Sequence, residues 1–144
     1  KILFPSKQGY EYLDTVKIDY APIRGNGSMV HRYWQHRIWT RERKKGDFGG
    51  IEYELPGTGK RVDVGIVQRD NAGGHERLAY EVVMEGSLQK EISNLRKDLE
   101  AGWDRVIFCV ASDEVREALL SLVQHEIAKY DDRAEVRLLR VFAQ

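Results

Sequence analysis

A chain of 144 residues, 42% apolar and 32% charged, has the size and make-up of one folded domain. Its formal net charge of zero gives no global electrostatic case for a polyanionic partner. A single cysteine, Cys109, excludes a disulfide framework and a multi-cysteine zinc site. No run approaches the roughly 20 apolar residues of a membrane span. No secretory leader is legible, so the cytoplasm is the expected compartment.

In chain order, residues 1–25 read as an arm or linker and residues 26–144 as one α/β domain. The turn signal Arg24-Gly-Asn-Gly27 leads to Ser28, a good N-cap for a helix from Met29 to Lys45. Val30, Trp34 and Ile38 give that helix one core-facing stripe, and Gly46 ends it. Charge is uneven here: residues 1–45 hold 10 Lys/Arg against 4 Asp/Glu, and residues 46–144 hold 13 against 19. The surplus is densest at Arg32, Arg37, Arg41, Arg43, Lys44 and Lys45. One helix can lay such a run along a phosphate backbone, and a solvated helix face is the competing reading. Tyr33, Trp34 and Trp39 interleave with these cations, either to stack on bases or, as helical spacing more often means, to fill the core.

The next elements read as strands. Gly50-Ile-Glu-Tyr-Glu-Leu55 and the Val62, Val64, Ile66 alternation flank the turn Pro56-Gly-Thr-Gly59 and form a hairpin. Asp70-Asn-Ala-Gly-Gly74 returns the chain into a strand over Leu78–Glu85. There Leu78, Tyr80, Val82 and Met84 share one face, and Ala79, Glu81, Val83 and Glu85 the other. Gly86-Ser87 opens a helix with the stripe Leu88, Ile92, Leu95, Leu99, closed by Gly102. Val106 to Ala111 is apolar on both faces, as a covered central strand should be, and makes Cys109 a buried thiol. Ser112 caps a last helix through Val115, Leu119, Leu122, Val123 and Ile127, and Glu135–Phe142 closes the chain as a strand. The order αβββαβαβ predicts a mixed sheet with helices on both faces.

Two strand carboxylates carry the chemistry. Asp63 and Glu81 each interrupt a β-branched strand, where an unpaired charge is costly, although solvated strand acids are common. By alternation both project from one sheet face. Hard oxygen ligands on rigid strands are what a Mg²⁺-dependent phosphodiesterase needs, so that the ion can activate water and neutralise charge on phosphate. Glu52 and Glu54 lie on the solvent-side alternation of the first strand, from which Glu52 makes at most a weak approach to them. His31, in the first helical turn, can orient water or contact phosphate, or simply pack. His36, His75 and His125 have no partner spacing.

At these residues the chain resembles a known family. Gly27-Ser-Met-Val-His-Arg-Tyr33, Arg61-Val-Asp-Val64, Glu81-Val-Val-Met-Glu-Gly-Ser87 and Asn94-Leu-Arg-Lys-Asp-Leu-Glu-Ala-Gly-Trp-Asp-Arg-Val106 resemble the PD-(D/E)XK, or restriction-endonuclease-like, nuclease superfamily. Most similar are its divergent members at the C-terminus of DNA-translocating or mobile-element ATPases. The resemblance covers residues 26–111 and implies the αβββαβαβ core, a DNA substrate, Mg²⁺ or Mn²⁺ as cofactor, and Asp63 and Glu81 as its ligands. It also implies a fused or associated ATPase or DNA-processing domain. Leu3-Phe-Pro-Ser-Lys-Gln-Gly-Tyr-Glu-Tyr-Leu13 fits that picture, because it resembles the segment that closes a winged-helix module; a plain N-terminal arm is the competing reading.

Val83 departs from the family pattern, which has a lysine at that place. A substitute is available on the following helix, where Lys90, Asn94 and Lys97 form a polar stripe. The helix climbs back along the sheet at about 1.5 Å per residue against about 3.3 Å for the strand. That brings Lys90 near the level of Val83, and Asn94 to Lys97 near the level of Glu81. Glu85 is about 13 Å along the strand from Glu81, too far to share one ion. Three readings follow: a metal-dependent DNA nuclease using Asp63, Glu81, His31 and Lys90 or Lys97, with Arg32, Arg37, Arg41 and Asn94 on the nucleic acid; a silent nuclease-fold module binding DNA or a protein; or a structural, homo-oligomerising domain.

Overall fold

The structure is a computed structural model that describes residues 29–84, 88–127, 129 and 133–143. The expected arm and its winged-helix-like segment, the Ser28 cap, Glu85, the Gly86-Ser87 helix opening and the His125 side chain lie outside the described residues. Helix α1 spans Met29–Glu42 and runs into a 3-10 turn, Arg43–Lys45. Strands β1 (Phe48–Glu54), β2 (Arg61–Arg69) and β3 (His75–Val83) follow, then α2 (Gln89–Ala101), β4 (Arg105–Val110), α3 (Asp113–Ile127) and β5 (Ala134–Leu138). The five strands lie in sequence order. β1, β2 and β3 form an antiparallel meander, and β4 and β5 continue parallel to β3.

Two crossovers in the same direction along a sheet place their helices on the same face, and the core divides accordingly. Ile92, Leu95 and Leu99 of α2 and Leu119 and Val123 of α3 pack on Ala79, Val83, Val106, Phe108 and Val110. On the other face Trp34 and Ile38 of α1 pack on Val64, Ile66, Leu78, Tyr80, Ile107 and Cys109. The expected stripes of α1 and α2 are therefore in place. Gly102 closes α2 at φ 111°, its N–H reaching the Asp98 and Leu99 carbonyls, and Ser112 Oγ accepts the Val115 N–H at 3.3 Å, as an N-cap should. Trp34 and Cys109 are buried. Tyr33 lies edge-on to Trp34 at 5.3 Å, so these aromatics serve packing.

Two expectations are corrected. The last strand does not run to Phe142; it ends at Leu138, and Leu139–Ala143 is a 3-10 turn. Leu139 and Phe142, three apart, share a face in a 3-10 turn and enter the α1 side of the core together. Extended backbone would have put them on opposite faces.

The second correction bears on the site. Val62, Val64 and Ile66 do not share one face: Val62 packs in the α2–α3 layer, Val64 and Ile66 in the α1 layer. Neighbouring β1 switches in the same place, with Ile51 packed on the α1 layer and Tyr53 on the other. The β1–β2 register pairs Ile51 with Val64 and Tyr53 with Val62, so the switch falls at Glu52 and Asp63. Glu52 has φ 50°, a conformation uncommon outside glycine. A kink of this kind re-aims a side chain by breaking the two-residue period, and the residue it re-aims is Asp63.

Candidate functional site

The β2–β3 ladder runs from Arg69–His75 to Val64–Tyr80 and stops one residue short of Asp63. Where two strands part, each leaves backbone N–H groups that need new acceptors. Side-chain carboxylates take that role. Asp63 Oδ2 accepts the Val82 N–H at 2.7 Å, and Glu81 Oε1 accepts the Asp63 N–H at 3.2 Å. The two expected acids are thus clasped reciprocally across the gap between their strands.

Helix α1 closes one side. Gln35 Nε2 donates to Asp63 Oδ1 at 3.1 Å, and His31 Nε2 stands 3.2 Å from the same oxygen. One helical turn separates His31 and Gln35, so both reach down the same face. His31 is therefore at the acids, as expected. Fully buried Gln35 was not anticipated; the signal was its i+4 spacing from His31 on the stripe side of Trp34.

Helix α2 closes the other side. Lys97 Nζ lies 3.4 Å from Asp98 Oδ1 and donates to the Arg61 carbonyl at 3.3 Å, which ties it to the strand two residues before Asp63. Its charge draws the Glu81 carboxyl downward. Lys90 is exposed and acts on Glu91 alone among the shifted acids. Of the two expected lysines, Lys97 is the one whose charge bears on Glu81, whereas Lys90 acts on Glu91. Its position is set by pitch: seven residues is nearly two full turns, so Lys97 stands about 10 Å further down the strand than Lys90. Asn94 Nδ2 donates to Glu91 Oε2 at 3.2 Å and is a wall residue. Val83 is buried in the α2–α3 core.

Asp98 is the residue the sequence reading missed. It is 1% exposed, with Lys97 at 3.4 Å from its Oδ1 and the Glu81 side chain against its carboxylate. Its signal was position, because Asp98 follows Leu95 by three residues and so lies on the apolar stripe of α2, where a charge is anomalous.

Electrostatics make the cluster a single unit. Burial first, then the negative charges of Asp63 and Asp98, push the Glu81 carboxyl well above its usual range. Burial also raises Asp98, to about 6, with Lys97 opposing and Asp63 assisting. Glu91 is raised by burial chiefly, with Asp63 adding to it. Four acids thus crowd Lys97, with Lys90 acting on Glu91 at the edge of the set, an arrangement that favours either shared protons or a cation. Among the described residues no three His, Cys, Asp or Glu side chains form a ready-made cage for an ion.

The basic residues of α1 divide. Arg37 does not extend along a free helix face: it is half-buried, and its Nη2 donates to the Ala143 carbonyl at 2.9 Å, pinning the C-terminal turn. Arg41, Arg43, Lys44 and Lys45 are exposed, whereas Arg32 is half-buried. Lys45 pairs with Glu42 at 2.8 Å. Glu42 is buried and also accepts from Arg137 Nη1 at 3.2 Å and from the Tyr80 hydroxyl at 3.3 Å. Burial and the Glu42 carboxylate hold the Tyr80 phenol above its usual range. Glu52 stands on the neighbouring strand at the level of Asp63. Among the described residues no helix is long and apolar enough to cross a membrane. No protein-family model, curated protein or solved structure matches the chain.

Proposed function

We propose that this chain is a metal-dependent DNA nuclease domain of the PD-(D/E)XK type, working within a larger DNA-processing protein. One observation carries the reading: Asp63 and Glu81 face each other where β2 and β3 part, with the Lys97 ammonium bearing on Glu81 from α2. The mixed sheet with a three-strand meander and two parallel crossovers is compatible with that superfamily's core.

The donor set fits Mg²⁺ or Mn²⁺ in chemistry. Both are hard cations that prefer oxygen, and Mg²⁺ commonly keeps several waters and takes only one or two carboxylates from the protein. Asp63 and Glu81 would hold it. Buried Asp98, whose carboxyl stays raised to about 6 despite Lys97, adds negative charge that a cation would relieve. When bound, the ion neutralises charge developing on a scissile phosphate and makes water a better nucleophile. Lys97 adds a fixed positive charge beside the phosphate, supplying from the helix what Val83 cannot supply from the strand. His31 and Gln35 fix the Asp63 carboxylate through its Oδ1, and the Val82 amide fixes it through Oδ2.

The test is cleavage of labelled duplex, single-stranded and branched DNA with Mg²⁺ or Mn²⁺. Glu81→Gln and Asp63→Asn should each lower the rate by about 10³-fold, close to 4 kcal/mol of lost transition-state stabilisation. Equal rates in wild type and both variants would remove the proposal. A second reading, a silent nuclease-fold module that binds DNA or a protein, is favoured by one observation: buried Val83 leaves the strand with no lysine at the acids. It predicts metal-independent DNA binding and no cleavage under any of these conditions.

A further inference from the structure

Away from the acids, the C-terminal part of α1, the 3-10 turn after it, β5 and the C-terminal turn enclose a cleft of about 650 Å³. Its lining holds Arg37, Arg41, Lys44, Lys45 and Arg137, with Glu42 as the acid among them. Glu42 does not cancel this charge so much as place it. The buried carboxylate holds Lys45 at 2.8 Å and Arg137 at 3.2 Å, and Glu135 grips the other edge of the Arg137 guanidinium. Three of the five N–H donors of Arg137 are thereby used, leaving two. The buried Nε of Arg37 has no acceptor. Arg41 and Lys44 are exposed at the rim.

We infer that this cleft is a phosphate subsite that grips the nucleic-acid backbone at a distance from the acids, a deepening that rests on the nuclease-fold reading above. Preset cations with unmet donors in a concave site are the requirement for phosphate recognition. Helix α1 links the two places. Gln35 contacts Asp63, and Arg41 and Lys44 follow it by six and nine residues, about 9 Å and 14 Å along the axis. At about 3.4 Å per nucleotide of one duplex strand, the gripped phosphate is three or four nucleotides from the one at the acids.

The test is fluorescence anisotropy of a labelled duplex in EDTA across a KCl series, with the double variant Arg41→Gln, Lys44→Gln beside wild type. Two lost phosphate contacts should make the slope of log K against log salt shallower by about 1.8 and weaken binding at least about tenfold at low salt. Both substitutions are at exposed positions, and an unchanged thermal midpoint confirms that the fold is kept. Identical affinity and slope in the variant would overturn the subsite, as would binding of tripolyphosphate without binding of duplex. Asp63→Asn, tested alongside, separates the two proposals. With DNA binding intact and cleavage no different from wild type, it removes the catalytic reading while the subsite stands.

Discussion

Two buried acids, Glu42 at the C-terminal end of α1 and Asp98 on α2, have surroundings that differ in kind. Glu42 has a lysine, an arginine and a phenol on its carboxylate. Asp98 has a lysine at 3.4 Å and the Glu81 side chain as a hydrogen-bond partner, while the Asp63 carboxylate presses on it. Burying a charge is tolerated when its partners replace water. Glu42 meets that condition and is explained by folding alone. Asp98 meets it only in part, because burial outweighs Lys97 and Glu81 and leaves its carboxyl raised, and a group that folding leaves partly compensated is where binding energy is available. Counting partners therefore separates a structural acid from a candidate functional one more sharply than burial does.

The contrast can be broken by substitution. The largest effect is expected at Asp98. Its folded carboxyl is raised from 3.8 to about 6, so the native state binds the proton more tightly than the unfolded chain. The stabilisation from protonation is complete below about pH 4 and is lost as pH rises through about 6. At neutral pH the folded protein then carries a charge that costs about 3 kcal/mol, and Asp98→Asn should recover most of it. Urea denaturation at pH 4 and pH 7.5 measures this; a variant less stable than wild type at pH 7.5 would place Asp98 with Glu42. Mg²⁺ should likewise raise the thermal midpoint more at pH 7.5 than at pH 5, because protons compete with the ion.

Next in size is Lys97→Ala, which should lower DNA cleavage by about 100-fold, or 2.7 kcal/mol, with Lys97→Arg restoring part of it. Glu42→Gln should cost about 2 kcal/mol of stability by weakening the Arg137 and Tyr80 contacts, a fall of about 5 °C in a chain of this length. Cleavage per folded molecule should hold. Smallest is Lys90→Ala, expected within about 0.5 kcal/mol in stability and without effect on cleavage. A Lys90 effect equal to that of Lys97 would move the displaced charge up the helix and weaken the assignment of Lys97.

Much of this arrangement was legible in the residues. Leu88, Ile92, Leu95 and Leu99 announced α2 because a helix stripe depends only on local spacing. Asp63 and Glu81 stood out because each charge interrupted an apolar strand. The face switch at Glu52 and Asp63 was not legible, since period-2 alternation assumes an unbroken strand and the kink is a property of two strands together. Leu139 and Phe142 were misread because an apolar pair three apart fits the end of a strand as readily as a 3-10 turn. Gln35 and Asp98 escaped for a further reason: a polar residue on a packed face announces itself only when the neighbouring layer is known.

The kink at Glu52 has a second consequence, for self-association. β1 is an outer strand of the sheet, and an outer strand with a long straight run of free backbone groups is a template on which another copy can polymerise. The positive φ at Glu52 interrupts that run near its middle, and the opposite edge, β5, is only five residues long with Glu135 and Arg137 on it. The distortion that aims Asp63 at its partners therefore also guards the sheet against amyloid-like growth.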